Sequence, residues 1–331
     1  MAFKDVLGHS MAIHRLQNAI RTGKVVQSYL FVGNEGIGKR WAAVQFSKAL
    51  NCLNNPVESG DACDQCVSCR KIDEGVHPDL LLLEPENQAI KVDQVRQMQK
   101  VLAYKPYEGR RRVCIIAAAD RMAPHMSNIL LKTLEEPPLH TVIVLLAHHP
   151  RLMLPTILSR CQLIRFHPLP VTLVSQWLSQ QHGLDEKEAH LLAGLSEGSP
   201  GKSLELQEQI RQMPRENLLR DWLGPATLSF AKMEDWVEAM PSERTDLILV
   251  LEVAKTLLRD LVIVKTLGDD SKLIHADLQE DMTAIASKHS LPTLLKRVGA
   301  VHQTLMDISP IRGNANVRLS LEAMMLSWAE G

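Results

Sequence analysis

Apolar positions along this chain follow two rhythms, and the rhythm changes once. Up to about residue 166, apolar runs of strand length recur at 29–32, 80–83, 113–117, 142–146 and 163–166. Helical spacing fills the gaps: through Trp41, Val44, Phe46 and Leu50, over 92–102, and over 126–134, where Pro137-Pro138 stops it. Continuous apolar runs mark strands buried on both faces. Strands of that kind alternating with helices predict a parallel sheet covered on both sides.

After His167-Pro168-Leu169-Pro170 no strand pattern remains. Two short helices are expected over 171–179 and 186–195, followed by Gly198-Ser199-Pro200-Gly201 and a new helical start at Lys202. Beyond about residue 207 the patterns are long and amphipathic. Leu291, Leu294, Leu295, Val298, Val301 and Leu305 share one helix face, as do Leu321, Met324, Met325 and Trp328. These Leu- and Met-rich faces are first of all core, with some apolar positions spare for subunit packing. The expected layout is an α/β domain over 1–167, a small helical domain over 168–206 and an all-α domain over 207–331.

Composition narrows the class. In 331 residues, 45% are hydrophobic and 23% charged, which is ordinary for globular chains and excludes a disordered or fibrous one. A net charge of −1 argues against coating nucleic acid by bulk electrostatics, and 4% aromatics argue against a stacking platform for single strands. No apolar run reaches the length of a membrane span. The opening MAFKDVLGHS lacks the basic and apolar regions of a signal peptide, so a cytoplasmic location is expected.

Four of the six cysteines, Cys52, Cys63, Cys66 and Cys69, fall within 18 residues, in a turn-rich segment (Asn54-Asn55-Pro56, Ser59-Gly60-Asp61). In a reducing compartment such a cluster reads as metal ligands before disulfides. Four thiolates at this spacing suit tetrahedral Zn²⁺ better than a reactive dithiol or an iron–sulfur site. With no open position the zinc is expected to be structural. Cys114 and Cys161 stand alone in apolar surroundings.

Gly33-Asn34-Glu35-Gly36-Ile37-Gly38-Lys39-Arg40 follows a strand and opens a helix. That is the context of a P-loop, in which backbone N–H groups wrap a phosphate chain and Lys39 reaches the β/γ-phosphates. Strand, spacing and lysine together outweigh the alternative of a glycine-rich turn with no ligand. The chemistry, however, is degraded. Position 40 carries Arg where a Ser or Thr would hold Mg²⁺, and the strand 113–116 runs into Ala117-Ala118-Ala119 where an acidic pair is needed. Asp120 falls three residues past the start of that pair and reads as a helix-capping or loop residue. Without metal ligand and base, ATP or Mg²⁺ turnover is not expected. Of the weaker signals, His148-His149 reads as a solvated loop and Arg110-Arg111-Arg112 as a charged strand entry.

Leu130-Leu131-Lys132-Thr133-Leu134-Glu135-Glu136-Pro137-Pro138 resembles the signature of bacterial clamp-loader subunits of the AAA+ superfamily, and Ser159-Arg160-Cys161 resembles their arginine-finger motif. The cysteine insertion, at about 52–69, is similar to that of the gamma/tau and delta-prime subunits of DNA polymerase III. His77-Pro78-Asp79, Val92-Asp93 with Val95-Arg96, and Asn314-Ala315-Asn316-Val317-Arg318-Leu319 look most similar to the delta-prime branch. This resemblance, spanning nearly the whole chain, implies an AAA+ domain, a lid domain and a collar. It also implies a place in a ring with gamma/tau ATPase and delta subunits that loads the sliding clamp onto primed DNA. A working ATPase of the family would carry Ser or Thr at 40, acids at 117 and 118, and a sensor arginine near Gly201. Their loss with Arg160 retained implies a subunit that donates an arginine to its neighbour's ATP and does not itself fire. The competing readings are a gamma/tau-like motor with an unusual site, and a zinc-dependent nucleic-acid-binding module.

Overall fold

The computed structural model describes residues 2–54, 59–85, 90–122, 124–225, 230–268, 273–309 and 316–329. Asn55 and Pro56 of the expected turn, and Asn314 and Ala315 of the closing motif, lie outside the described residues. The chain divides into two compact units, Met1–Leu173 with Gly198–Lys202, and Val174–Glu197 with Ser203–Gly331.

The first unit is built on five parallel strands, β1 (Ser28–Val32), β2 (Leu80–Leu83), β3 (Arg112–Ile116), β4 (Thr141–Ala147) and β5 (Gln162–Arg165), in the order β2-β3-β4-β1-β5. This is the expected parallel sheet, each strand within a residue or two of the run that predicts it. Register puts Leu30 between Leu145 and Leu163. One face packs Leu30, Val32, Cys114, Ile116, Ile143 and Leu145 against α4 (Val92–Leu102) and α5 (Pro124–Glu135) through Val95, Met98, Leu102, Met126, Leu130 and Leu134. The opposite face is aromatic: Tyr29 stacks edge-on with Phe31 and with Phe46 of α2 (Lys39–Asn51), and Phe31 meets Phe166. Burial pushes the Cys114 thiol up to about 12 and that of half-buried Cys161 to about 11, so neither forms a thiolate readily.

Three short or uncapped elements complete the unit: α1 (Ser10–Arg21), α3 (Val67–Asp73) and α6 (Pro155–Leu158). At the entry to β3, Arg112 is buried. Its guanidinium donates to the buried Asp79 carboxylate at 2.9 and 3.2 Å and to the carbonyls of Val101 and Tyr104. Asp79 also accepts the backbone N–H groups of Tyr107, Glu108 and Gly109. Burial alone would raise the Asp79 carboxyl, but these donors and Arg112 hold it below its ordinary value.

The second unit shows helices and no strand among its described residues: most of α7 (Val171–His182), α8 (Glu186–Leu195), most of α9 (Pro200–Gln212), α10 (Arg215–Asn217) running into a π-helical turn (Leu218–Leu223), α11 (Phe230–Ala239), α12 (Arg244–Thr266), α13 (Gln279–Lys288), α14 (Leu291–Asp307) and α15 (Val317–Ala329). Several polar groups sit in its core with partners, among them Arg297 and His275. Arg297 donates to the carbonyls of Leu223 and Pro225 and lies over the Trp328 ring. His275 receives Arg215 on Nδ1 and contacts Thr256 through Nε2, and burial pushes it down to about 3, which keeps it neutral. No described helix is long and apolar enough to cross a membrane.

Candidate functional site

The P-loop turn leaves β1 at Gly33 and enters α2 at Lys39. Gly36 and Gly38 hold left-handed conformations, with φ of 69° and 103°. At Gly33 a Cβ would stand 2.5 Å from the Phe166 carbonyl oxygen, so β5 admits only glycine there. The loop's functional groups are spent within the chain. The Lys39 ammonium, 6% exposed, donates to the carbonyl oxygens of Gly33 at 2.6 Å and Asn34 at 2.7 Å, and burial pushes it down to about 8. The Ile37 carbonyl is 2.9 Å from Nε2 of His9, whose ring packs on Phe166 and which burial holds below its ordinary pKa, so Nε2 is the donor.

The segment Gly198–Lys202 ties the same turn down. Gly201 N–H donates to Gly36 O at 2.9 Å, and Ser199 Oγ donates to Glu35 O. A Cβ on Gly36 would lie 2.4 Å from Lys202 N, and one on Gly201 would lie 2.9 Å from Gly36 Cα. Gly201, the position the resemblance gives to a sensor arginine, therefore has no room for any side chain unless the turn moves.

Arg40 turns outward and pairs with Glu84, just past β2, at 2.7 Å with both side chains exposed. Ala117 and Ala118 follow β3 in the place of acids, with Ala118 left-handed at φ 47°. Asp120 is near this turn, close enough for its charge to act on Lys39, and its Oδ2 accepts the N–H groups of His148 and His149 at 3.0 and 2.9 Å. Its described hydrogen bonds thus fasten the end of β4, and the helix-capping alternative is not what the carboxylate does. His148 is half-buried beside it, Nδ1 3.7 Å from Oδ1, and is held below its ordinary pKa first by burial and then by Lys39. The solvated-loop expectation fits exposed His149 and fails for His148, because Asp120 approaches from a distant part of the sequence.

Arg160 stands at the other end of the sheet, between α6 and β5. It is exposed. One terminal nitrogen pairs with Glu135 Oε1 at 2.7 Å, and the other donates to Thr156 O at 2.9 Å and Ser159 Oγ at 3.4 Å.

The cysteine segment folds into a knuckle. Cys52 closes α2, Cys63 follows the turn at Gly60, and Cys66 caps α3, its sulfur accepting the Cys69 N–H. The Sγ atoms of Cys52, Cys63, Cys66 and Cys69 all lie within 4.8 Å of one another, those of Cys63 and Cys69 at 3.9 Å, and all are free thiols. Four sulfurs held ~2.3 Å from one zinc stand roughly 3.8 Å apart, so the donor set fits a metal ion. Two further N–H groups, of Cys63 and Cys66, donate to Cys52 and Cys63 sulfurs, as thiolates require. Burial works against the Cys66 thiolate, but N–H donors from Cys69 and Leu53 and the adjacent thiols bring it down to about 6. Buried Lys48 pairs with Asp64 in the knuckle and Asp73 in α3, fastening the loop to α2.

Sequence reasoning missed Glu135, Asp120 and the Gly198–Lys202 tie as parts of these sites, since each comes from far along the chain. The Glu-Glu pair before Pro137 was visible, but nothing local says which neighbour it meets.

A family profile described as "DNA polymerase III, delta subunit" matches residues 8–170, and one described as "DNA polymerase III, delta subunit, C terminal" matches 227–330. The chain is 32% identical over 313 residues to DNA polymerase III subunit delta' of Pseudomonas aeruginosa, covering 91% of each. It is 29% identical over 323 residues to DNA polymerase III subunit delta' of Bacillus subtilis, covering 96% of this chain and 94% of that one. Similarity to Escherichia coli DNA polymerase III subunit tau is 34% over 212 residues, or 62% of this chain and 32% of tau.

Proposed function

The chain belongs to the DNA polymerase III delta' subunit family, and on that premise we propose that it is a clamp-loader subunit that does not hydrolyse ATP but lends Arg160 to a neighbour that does. The observation that carries this reading is the contrast between two sites. The phosphate loop spends Lys39 on its own carbonyls, turns Arg40 away and meets alanines where acids are needed, whereas Arg160 is exposed on a short, firmly placed helix end. A guanidinium is permanently charged and planar, so it bridges phosphate oxygens of a nucleotide bound next door without any proton transfer.

The partners in this reading are gamma/tau ATPase and delta subunits, with the sliding clamp and primed DNA reached through the assembled complex, in the cytoplasm. The segments 168–206 and 207–331 serve as lid and collar. Cys52, Cys63, Cys66 and Cys69 hold a structural zinc, which supplies closure of a loop that has little core of its own. Gly33, Gly36, Gly38 and Lys39 keep the shape of a phosphate cradle. The gamma/tau-like motor reading draws on similarity to gamma and tau subunits, and against it stand Arg40 and the alanines at 117 and 118.

The test is ATP turnover by a complex reconstituted with the full chain or with Arg160→Ala. An arginine finger contributes roughly 10³–10⁵ in kcat at the site it serves, so the variant complex loses the whole contribution of that site while the chain folds and assembles as before. Full DNA-stimulated turnover with Arg160→Ala would end the assignment.

A further inference from the structure

Arg160 is not a free cation waiting on the surface. Both ends of its guanidinium fork are engaged by this chain, and the two engagements differ in kind. Contacts with Thr156 O and Ser159 Oγ come from α6 and the residue after it, so they aim the side chain and leave its charge uncancelled. The 2.7 Å contact with Glu135 is ionic and comes from α5, the helix that ends in Glu135. A carboxylate and a phosphate oxygen are the two anions a guanidinium fork accommodates best. They therefore compete for the same edge. Beside the pair is an open, mostly polar recess bordered by Gln27, Ser28, Glu135, Arg160 and Gln162, which gives a displaced carboxylate space to swing.

We propose that Glu135 is a positioning residue that parks Arg160: its carboxylate neutralises and holds the guanidinium until a phosphate chain bound by the neighbouring subunit displaces it. This inference rests on the arginine-finger reading above and adds to it a threshold for handing the arginine over. The pair is half-exposed, and such pairs are worth little, so the threshold is low. A weak latch suits a group that must be released in every cycle, whereas a buried pair would keep the arginine for itself.

The experiment uses the reconstituted complex with full-length chain carrying Glu135→Ala, Glu135→Gln, Arg160→Ala or Glu135→Ala with Arg160→Ala, and measures kcat and KM for ATP separately. Removing the competitor is expected to lower KM about two- to fivefold with kcat unchanged in Glu135→Ala. Glu135→Gln, which keeps a hydrogen-bond acceptor without the charge, is expected to fall between Glu135→Ala and wild type. The double variant is expected to match Arg160→Ala, because the effect travels only through the guanidinium. Glu136→Ala removes an adjacent charge and is expected to keep the wild-type KM. An unchanged or raised KM in Glu135→Ala, the same shift in Glu136→Ala, or a shift persisting in the double variant would each overturn the latch while leaving the finger intact. Full turnover in Arg160→Ala would instead overturn the finger and the latch together.

Discussion

Single residues decide most of the chemistry here, and their environments show why similar residues do different work. Arg112 begins β3, Arg160 follows α6 and Arg297 lies within α14. Arg112 and Arg297 are locked in the core by carboxylate or carbonyl partners, and Arg160 is held at the surface by one exposed acid. Asp79 and Arg112 form the tightest of these arrangements, and Asp79→Asn should cost roughly 3–5 kcal/mol, because it leaves a buried guanidinium without its countercharge. Urea denaturation of the two proteins at neutral pH measures it, and overlapping transitions would refute it. The same pair gives a pH dependence of definite sign. Since the folded Asp79 pKa lies below the unfolded value of about 3.9, its contribution is complete above that value and is lost as pH falls through the folded pKa. The difference between wild type and Asp79→Asn should therefore shrink in acid and be constant above about pH 5. The sequence shows His77-Pro78-Asp79 as a motif, but not that the aspartate gathers three backbone N–H groups from residues 107–109. That requires knowing that β2 and β3 are adjacent.

At the level of elements, the strands of the sheet are plainly written because burial on both faces leaves unbroken apolar runs. Helices with ordinary start signals are equally legible: 92–102 and 186–195 are bounded in the structure as their spacing predicts, and Asp185 caps the second of them through the N–H groups of Lys187 and Glu188. Among the helices that escape the sequence reading, α1 and α3 do so for physical reasons. α1 buries Ile13, Leu16 and Ile20 at helical spacing but starts from left-handed His9, which offers no side-chain cap. α3 is capped by a cysteine sulfur, which is outside the usual set of capping residues and acts here because the knuckle places it. The knuckle itself was legible from cysteine spacing alone, since four sulfurs so close in sequence have few ways to avoid one another. Zinc measured by mass spectrometry should be stoichiometric with the chain and fall below about a tenth in Cys66→Ser. Chelation should lower the melting temperature of wild type, and restoring zinc should recover it. Metal-free protein with an unchanged melting temperature would show that the four thiols serve another purpose.

For the whole molecule, the sequence yields the inventory and the structure yields the assignments. Glycines, lysine and missing acids could all be listed from the chain. What could not be read is that Lys39 is satisfied by Gly33 and Asn34, and that Gly201, the position the resemblance gives to a sensor arginine, spends its N–H holding Gly36. These contacts make the motif a self-sealed turn, which in the proposed reading is a stronger reason for silence than missing ligands alone. The P-loop shape has packing reasons of its own: a Cβ on Gly33 would meet Phe166, one on Gly36 would meet Gly201 and Lys202, and Gly38 holds a φ of 103°. The central claim is that this turn is architecture and that the catalytic contribution is exported through Arg160. Steady-state ATP hydrolysis by the purified, isolated chain, with Lys39→Ala prepared in parallel, tests it most directly. The account predicts the same background rate for both proteins with Mg²⁺ and saturating ATP. Turnover by the wild-type chain that disappears in Lys39→Ala would contradict it.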